Sequence, residues 1–372
     1  MQTARIAIVG AGLSGLYAAC LLEQQGLHDY VLLEARDGLG GRIACAPASG
    51  QPATGAEPFD RVDLGPTWFW PGYQHQLARL VDELGLTRFA QHETGDTVVE
   101  RSLHEPPVRV RGYANSPPSM RLVGGMAALT DALHRRLDAT RLHTGQTVRR
   151  LRCTPQHVEL DSENAHGQAT PWRAEHVLLA LPPRLAEHCL EFKPALPPAL
   201  AAQWRATATW MAPHAKYIAV YDTPFWREQG VSGEARSARG PLGEVHDASM
   251  PGGSAALFGF FGVPAHVRQS VPDAELKAHC RAQFTRLFGS QAATPKAEFI
   301  KDWALEPFTA TAADLQSSGQ HAPAPATCAP SGPWRGCLTG IASEWSPQFP
   351  GYVAGAIEAA GLGVQSVQGL PG

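Results

Sequence analysis

The chain has 372 residues, with 31 Lys and Arg against 34 Asp and Glu, a net charge of -3 and 44% hydrophobic residues. This length suits two domains, and this hydrophobic fraction is enough for a buried core, so the composition excludes a globally disordered chain. Nucleic-acid-binding proteins usually concentrate an excess of positive charge, so we expect no nucleic-acid partner.

Neither the hydrophobic pattern nor the cysteines indicate export or a membrane anchor. The first apolar run, 6–9, is too short for a signal peptide, and no stretch approaches the roughly 20 apolar residues that span a bilayer. The seven cysteines are scattered without a C-x-x-C pair, which fits neither a disulfide framework nor a zinc site. We therefore expect reduced thiols, no metal site and a cytoplasmic protein.

The N-terminal residues have the pattern of a dinucleotide-binding βαβ unit. The apolar run 5–9 predicts a buried strand, and the segment Gly10-Ala11-Gly12-Leu13-Ser14-Gly15 leads directly into a predicted helix over 16–25. A second predicted strand, 30–34, ends in Glu34. Strand, glycine loop, helix, strand and acid occur in the order that this unit requires.

The three glycines of this loop have different predicted roles. Gly10 allows the tight turn out of the strand, Gly12 lets the backbone approach a pyrophosphate, and Gly15 lets the helix pack closely on the strand. The helix N-terminus offers unpaired N–H groups to the phosphates. Glu34 is placed to accept hydrogen bonds from ribose hydroxyls, so we predict nucleotide binding.

The segment Gly40-Gly41-Arg42 favours FAD over NAD as this nucleotide. A glycine pair lets the loop come close to the ligand, and an arginine adds a planar fork of donors for the pyrophosphate.

The rest of the chain alternates predicted helices and strands without an internal repeat. Residues 87–119 are polar and Pro-punctuated with no long helical period, and residues 312–333 predict a low-complexity loop. The other predicted elements are, in chain order, a helix over 77–84, a helix from 126 to about 137, strands at 148–151, 158–160 and 177–181, antiparallel strands at 216–221 and 255–261, a helix from 273 to 288, a strand at 337–340 and a last helix starting within 351–358.

Through these motifs the chain resembles the flavin amine oxidases, the family of monoamine and polyamine oxidases, over nearly its whole length. Beyond the glycine loop, Glu34 and Gly40-Gly41-Arg42, the matching segments are Asp63-Leu64-Gly65-Pro66-Thr67-Trp68, Val123-Gly124-Gly125-Met126, Thr147-Val148, Ala180-Leu181-Pro182-Pro183, Asp302-Trp303, Glu306-Pro307-Phe308, Glu344 and the segment from Pro350 to Glu358.

The resemblance implies an α/β fold in which a Rossmann-like FAD-binding domain carries a smaller α+β substrate domain built on an antiparallel sheet. It implies an FAD-binding domain made of residues 1–75, 119–205 and 306–372, and a substrate domain made of residues 76–118 and 206–305.

Lys216 is the first of three residues to which the resemblance assigns a catalytic role. It lies in an otherwise apolar predicted strand, where a lysine often sits at a strand end with its ammonium in water. The family has a lysine at the matching place, which holds a water against flavin N5, and a cation there stabilises negative charge as electrons pass to O2. Trp303 and Tyr352, with Phe308, resemble the aromatic residues that pack around the flavin.

The resemblance also implies a set of cofactor contacts. In the family, the helix that begins after the residue matching Tyr352 directs its N-terminus at the pyrimidine end of the flavin. Glu344 is assigned the flavin contact of the family glutamate on its spacing to Tyr352, although here it lies further beyond Gly340 than in the family. The predicted cofactor-binding residues are Gly10, Gly12, Ser14, Gly15, Glu34, Ala35, Gly41, Arg42, Gly65, Pro66, Thr67, Trp68, Val148, Trp303, Glu344, Gly351, Tyr352 and Val353.

The chain departs from the family pattern at two places. Where covalent members carry a Ser-Gly-Gly-Cys-Tyr run, residues 309–313 read Thr-Ala-Thr-Ala-Ala, so we expect non-covalent FAD; Ala313 also replaces half of a tyrosine pair. Between Gly85 and Met120 the family inserts a helical roof over the substrate cavity, and this chain has only a short polar stretch. We therefore expect an open cleft for a bulky substrate, or one completed by a protein partner.

These residues predict FAD-dependent oxidation of an amine. Hydride would pass to flavin N5, the imine would hydrolyse, and O2 would reoxidise the flavin and give H2O2. Two alternatives stay open: a flavin desaturase or dehydrogenase that uses an acceptor other than O2, and a non-catalytic, FAD-stabilised partner module.

Overall fold

A computed structural model of the chain describes residues 1–51, 60–316 and 323–368. The strands in these residues are β1 (Gln2–Val9), β2 (Tyr30–Leu33), β3 (Cys45–Pro47), β4 (Arg61–Asp63), β5 (Arg88–Ala90), β6 (Asp96–Glu100), β7 (Val108–Val110), β8 (Met120–Leu122), β9 (Leu142–His143), β10 (Thr147–Cys153), β11 (Val158–Glu163), β12 (Ala169–Leu179), β13 (Glu191–Lys193), β14 (Ala215–Tyr221), β15 (Val231–Ser237), β16 (Leu242–Asp247), β17 (Ala255–Phe261), β18 (Ala297–Asp302) and β19 (Leu338–Gly340).

The α-helices in the same residues are α1 (Leu13–Gln24), α2 (His75–Glu83), α3 (Ala127–His134), α4 (Pro183–Cys189), α5 (Pro198–Ala206), α6 (Phe225–Glu228), α7 (Ala265–Arg268), α8 (Asp273–Phe288) and α9 (Val353–Gln368). None of them is both long and apolar enough to span a bilayer.

The chain folds into two compact units. Unit 1 is formed by the described residues of Met1–Arg42, Leu129–Ala212 and Glu306–Gly372, and unit 2 by those of Ile43–Ala128 and Pro213–Leu305.

Unit 1 is built on a mixed sheet with the strand order β13-β10-β11-β12-β1-β2-β9, and β19 also pairs with β12. The strand β1 pairs in parallel with both β2 and β12, whereas β10, β11 and β12 pair antiparallel. Residues 6–9 of β1 are buried, as expected for a strand covered on both faces. Helix α1 packs against α9, so the first and last helices of this unit are neighbours.

Unit 2 is built on a sheet with the order β18-β14-β17-β16-β15-β6-β7. Its strands pair antiparallel, as predicted, except β15 and β6, which are parallel. The strand β6 contributes Val98 to the core of this unit and also contains the buried Glu100. The carboxylate of Glu100 accepts a hydrogen bond from Arg286 Nε at 2.5 Å. The arginine that neutralises this buried acid lies on α8, 186 residues further along the chain. The segment around Glu100 is therefore polar in composition although it forms a strand.

The segment between α2 and α3 contains only short strands among its described residues. They are β5 to β8, and no helix forms over residues 84–126. The strands β6 and β7 extend the large sheet of unit 2, and β5 pairs with β8. No helical subdomain is present in this segment.

The compact units differ from the predicted domains in two respects, the smaller being that residues 206–212, predicted in the substrate domain, belong to unit 1. Residues 43–75 and 119–128 belong to unit 2, because Ala46, Ala48 and Val62 of the hairpin β3–β4 pack with Ile218 and Val220 of β14. The assignment of one domain to FAD and the other to substrate stays a prediction.

Candidate active site

The glycine loop between β1 and α1 is packed so closely that side chains are excluded. A Cβ on Gly15 would lie 2.0 Å from the carbonyl oxygen of Gly10, and a Cβ on Gly41 would lie 3.1 Å from the Cα of Gly12. Gly41 also has φ +59°, in the left-handed region that favours glycine. By contrast, a Cβ on Gly12 would lie 3.9 Å from the Cα of Gly41 and 4.0 Å from the carbonyl oxygen of Gly40, so the protein leaves room for a methyl group at this residue.

The N-terminus of α1 has the features of an anion site. No side chain caps Gly12, and the first turn of the helix carries no acidic residue. The first N–H groups of a helix have no partner within it and carry a partial positive charge. The N–H groups that follow Gly12 are therefore a set of donors that fits a pyrophosphate.

The carboxylate of Glu34, which follows β2, is buried next to this loop. One oxygen accepts a hydrogen bond from Ala11 N at 2.7 Å and the other accepts one from Arg36 N at 2.9 Å. These two bonds fix the orientation of the carboxylate. Because a carboxylate has about four acceptor positions, two remain for the hydroxyls of a ribose.

Arg42, predicted to contact the pyrophosphate, forms a bidentate ion pair with Glu344 in unit 1. The two Arg42–Glu344 distances are 2.5 and 2.9 Å, and Arg42 Nη2 also donates to Ser343 Oγ at 3.2 Å. Burial alone would raise the pKa of Glu344, but the guanidinium of Arg42 lowers it below its usual value. Glu344 therefore stays ionised and holds the guanidinium plane in one orientation.

Arg36 is a residue of this region that the sequence reasoning missed. It donates to Glu306 at 3.3 Å and to Thr309 Oγ1 at 3.1 Å, and its guanidinium lies over the ring of Phe308 at 5.4 Å. Arg36 thereby ties the segment 306–309 to the residues that follow β2. Its position two residues after Glu34 was the available signal.

Lys216 in unit 2 is buried within β14, in which every residue is buried. Its Nζ donates to the carbonyl of Gly65 at 2.6 Å and to Thr67 Oγ1 at 2.7 Å, and lies 4.2 Å from the ring centroid of Phe258. An ammonium has three N–H groups, and these two bonds use two of them. Burial lowers the pKa of Lys216 to about 8, which places its charge change close to neutral pH.

Asp63, the last residue of β4, is a buried acid whose charge opposes the effect of burial on Lys216. Its Oδ1 accepts hydrogen bonds from Met126 N at 2.7 Å and from the Cys45 thiol at 3.2 Å. A Cβ on Gly125 would lie 2.7 Å from the same oxygen, so the close approach of this loop requires glycine.

Two tryptophans of the prediction lie around the same segment of unit 2. Trp303 is buried and donates from Nε1 to the carbonyl of Leu64 at 3.2 Å. Trp68 donates from Nε1 to Gln91 at 2.8 Å, and its ring lies 5.4 Å from that of Phe258. Both hydrogen bonds fix apolar rings close to the segment 64–67 that holds Lys216.

Tyr352 precedes α9 in unit 1 and keeps 37% of its surface exposed. Its ring lies 6.4 Å from that of Trp210, at an interplanar angle of 34°. A Cβ on Gly351 would lie 2.5 Å from the Cβ of Trp210, so glycine is required where the two aromatic residues meet. Sequence reasoning did not select Trp210, because a single tryptophan beside a loop carries no signal of its own.

The remaining predicted residues occupy less informative positions. Ser14 is buried in α1, Val148 is buried in β10, Ala35 and Pro66 are half-buried, and Val353 is the first residue of α9. The cofactor roles of all the predicted site residues stay predictions.

The comparisons with known proteins identify the family. The family described as flavin containing amine oxidoreductase matches residues 108–367, and the NAD(P)-binding Rossmann-like domain matches residues 8–84. The chain belongs to the flavin-containing amine oxidoreductases. The predicted family and the predicted class of enzyme, an FAD-dependent oxidoreductase, are confirmed.

Relatives and solved structures extend this result. A flavin-containing monoamine oxidase of Mycobacterium tuberculosis is 26% identical, over 96% of this chain and 96% of its own. A flavin-containing monoamine oxidase A of Dictyostelium discoideum is 26% identical over 64% of this chain, which spans about half (51%) of that relative. A putrescine oxidase with putrescine bound has a TM-score of 0.79 at 20% identity, covering 99% of each chain, and confirms the α/β fold.

Proposed function

We propose that this chain oxidises an amine with FAD as its cofactor and O2 as its electron acceptor. The observation that carries the proposal is the buried Lys216, whose ammonium is fixed by Gly65 and Thr67, in a chain of this family. When bound, FAD would supply the two-electron chemistry: oxidation of the amine by loss of a hydride from its α-carbon, and reduction of O2 to H2O2.

The protein residues have separate parts in this proposal. The open side of Gly12 and the N-terminus of α1 bind the pyrophosphate, and Glu34 binds the ribose. Arg42, oriented by Glu344, adds a fixed positive charge in unit 1. Lys216 stabilises the negative charge that develops when O2 is reduced, and Tyr352 offers a partly exposed aromatic surface to the substrate.

The proposed substrate is an amine that binds without the helical roof that covers the substrate cavity in the family. One relative is named a putrescine oxidase, which makes small diamines the first compounds to test. The absence of a helix over residues 84–126 supports a wider choice, including bulky amines or one presented by a partner. In a series of graded size, strict preference for the smallest amines would contradict this open cleft.

Anaerobic mixing of the FAD-loaded protein with these amines tests the activity. We expect the yellow absorbance to bleach with at least one amine, and admission of air to restore it with release of H2O2. A spectrum that no amine bleaches would instead support the non-catalytic partner module. Bleaching without peroxide release in air would support a dehydrogenase with another acceptor.

Acid precipitation tests the mode of attachment of FAD. Residues 309–313 hold no cysteine, so no thiol is available in this segment for a covalent bond to the flavin. We expect all of the flavin to appear in the supernatant as free FAD. Flavin that stays with the pellet would refute non-covalent binding.

The pH dependence of reoxidation tests the charge of Lys216. Because burial lowers the pKa of Lys216 to about 8, the group is a cation below this pH and neutral above it. The rate constant of reoxidation by O2, measured in stopped flow on photoreduced protein, should fall about tenfold per pH unit above 8. Lys216→Met should remove this slope, and a wild-type rate that stays flat from pH 7 to 10 would contradict the assignment.

A further inference from the structure

Two cysteine thiols lie side by side in unit 1. The Sγ of Cys153, the last residue of β10, is 3.6 Å from the Sγ of Cys337, the residue before β19. Both thiols also donate to the carbonyl of Pro333, at 3.1 and 3.4 Å. All seven cysteines of the chain are free thiols, so this pair is reduced in the structure.

The backbone on both sides of the pair is fixed by the sheet of unit 1. Cys153 pairs with Val158 in the hairpin of β10 and β11. The carbonyl of Cys337 accepts a hydrogen bond from Val177 N of β12 at 2.8 Å, and Trp334 is buried with its Nε1 bonded to the carbonyl of Pro194 at 2.7 Å. The two sulfurs are therefore held together by the fold and not by a chance approach of loops.

The separation of the sulfurs is short compared with what a disulfide requires. A disulfide bond is about 2.05 Å long, so the two sulfurs have to move about 1.6 Å closer to form one. Both residues are only partly buried, which gives a small oxidant access to the sulfurs. Neither residue has a part in the proposed oxidation of the amine.

We propose that Cys153 and Cys337 form a dithiol that peroxide oxidises to a disulfide, a modification site that links the end of β10 to the segment entering β19. The oxidant is H2O2, the product of the proposed function on which this inference rests. The site thus makes the covalent state of unit 1 depend on the peroxide produced around it.

The chemistry of the step balances without a further reactant. The thiolate of Cys153 attacks one oxygen of H2O2, the O–O bond breaks, and hydroxide leaves while Cys153 becomes a sulfenic acid. The sulfur of Cys337 then attacks the sulfenic sulfur, the S–O bond breaks, and the departing hydroxide takes the Cys337 proton as water. The proton that Cys153 gave up in forming its thiolate converts the first hydroxide into water. In total the two thiols lose two protons and two electrons, and one H2O2 is reduced to two waters.

The surroundings of Cys337 assign the order of these steps. Burial, together with the hydrogen bond and the charge interaction that its thiol shares with Cys153, raises the pKa of Cys337 to about 12. Cys337 therefore keeps its proton near neutral pH, and we assign it the second, resolving step.

The test treats the FAD-loaded protein with a small excess of H2O2 and maps its peptides without reduction. We expect a cross-linked peptide containing Cys153 and Cys337, the loss of two of the seven titratable thiols, and their recovery with dithiothreitol. The melting temperature of the oxidised protein should rise by roughly 5–10 °C, since the bond closes a long loop. Cys337→Ser should lose the cross-link and this rise, and Cys189→Ser, an exposed cysteine outside the pair, should keep both.

Two results would overturn the proposal. One is stable sulfinic or sulfonic acid at Cys153 with Cys337 still a free thiol, and the other is loss of thiols without any Cys153–Cys337 peptide. Because the wild-type map gives either answer, the result does not depend on the folding of the serine variants.

A second arm separates this proposal from the proposed function. The protein turns over an amine in air with and without catalase, in place of added peroxide. If added H2O2 forms the cross-link and turnover does not, the dithiol site stands and the peroxide-forming function fails. If turnover releases measurable H2O2 and neither source forms the cross-link, the dithiol proposal fails and the function stands.

Discussion

Replacing Lys216 by methionine is expected to slow reoxidation of the reduced protein by O2 about 100-fold while FAD stays bound. Methionine has a similar length and no charge, so the variant removes the ammonium that Gly65 and Thr67 fix at 2.6 and 2.7 Å and leaves the apolar strand filled. The measurement is stopped-flow reoxidation of photoreduced protein, with the flavin spectrum as the record of bound FAD.

A lysine elsewhere in unit 2 provides the matched control. Lys277 lies on α8, where it forms an exposed ion pair with Asp273 at 2.8 Å. Lys277→Met makes the same chemical change and should leave reoxidation unchanged. A Lys216→Met protein that reoxidises at the wild-type rate would remove Lys216 from the mechanism.

Replacing Gly12 by alanine is expected to abolish FAD binding in a protein that still folds. A Cβ at this position meets no protein atom within 3.8 Å and the backbone is extended, so the apoprotein has room for it. The same methyl group occupies the open side of the loop where the pyrophosphate is proposed to lie. We expect colourless protein with a wild-type circular dichroism spectrum and at least a 100-fold weaker affinity for added FAD, measured by titration of apoprotein.

Two neighbouring glycines make this prediction specific. A Cβ on Gly38 meets nothing within 4 Å and φ is not in the left-handed region, so Gly38→Ala should bind FAD normally. A Cβ on Gly15 would lie 2.0 Å from Gly10 O, so Gly15→Ala should lower the melting temperature as well. If Gly12→Ala retains FAD with wild-type affinity, the pyrophosphate does not lie against this loop.

The parts of the fold set by local pattern could be predicted from the sequence. The strand β1, helix α1 and strand β2 follow from apolar runs separated by glycines, and α8 follows from its apolar face ending at Gly289. Each of these elements is marked along the chain by its own apolar pattern and by a glycine, although β1 pairs with the distant β12 and α1 packs against α9. The periodicity of the sequence therefore carries the information.

The parts set by distant partners could not be predicted in this way. The sequence analysis predicted no strand at β6, where the buried Glu100 is neutralised by Arg286 on the distant α8. The partner of Arg42 is Glu344, which lies 302 residues further along the sequence, so no local pattern predicts this ion pair. Long-range pairing of charges is a property of the folded chain alone.

The environment of Lys216 in the candidate site likewise could not be predicted from local sequence pattern. Composition alone favours a strand-end lysine with its ammonium in water, whereas the structure buries it with 3% of its surface exposed. Only the family resemblance indicated a buried cation. The thiol pair of Cys153 and Cys337 had no sequence signal at all, since 184 residues separate the two cysteines.

The contact between α1 and α9 bears on when the packing of unit 1 is completed during synthesis. Unit 1 draws its first segment from residues 1–42 and its last from residues beyond 305, so a nascent chain on the ribosome holds the glycine loop long before it holds α9. The helix that covers α1 emerges only after unit 2 has been translated. The packing of α1 within unit 1 is therefore completed only after the segment containing α9 has been released.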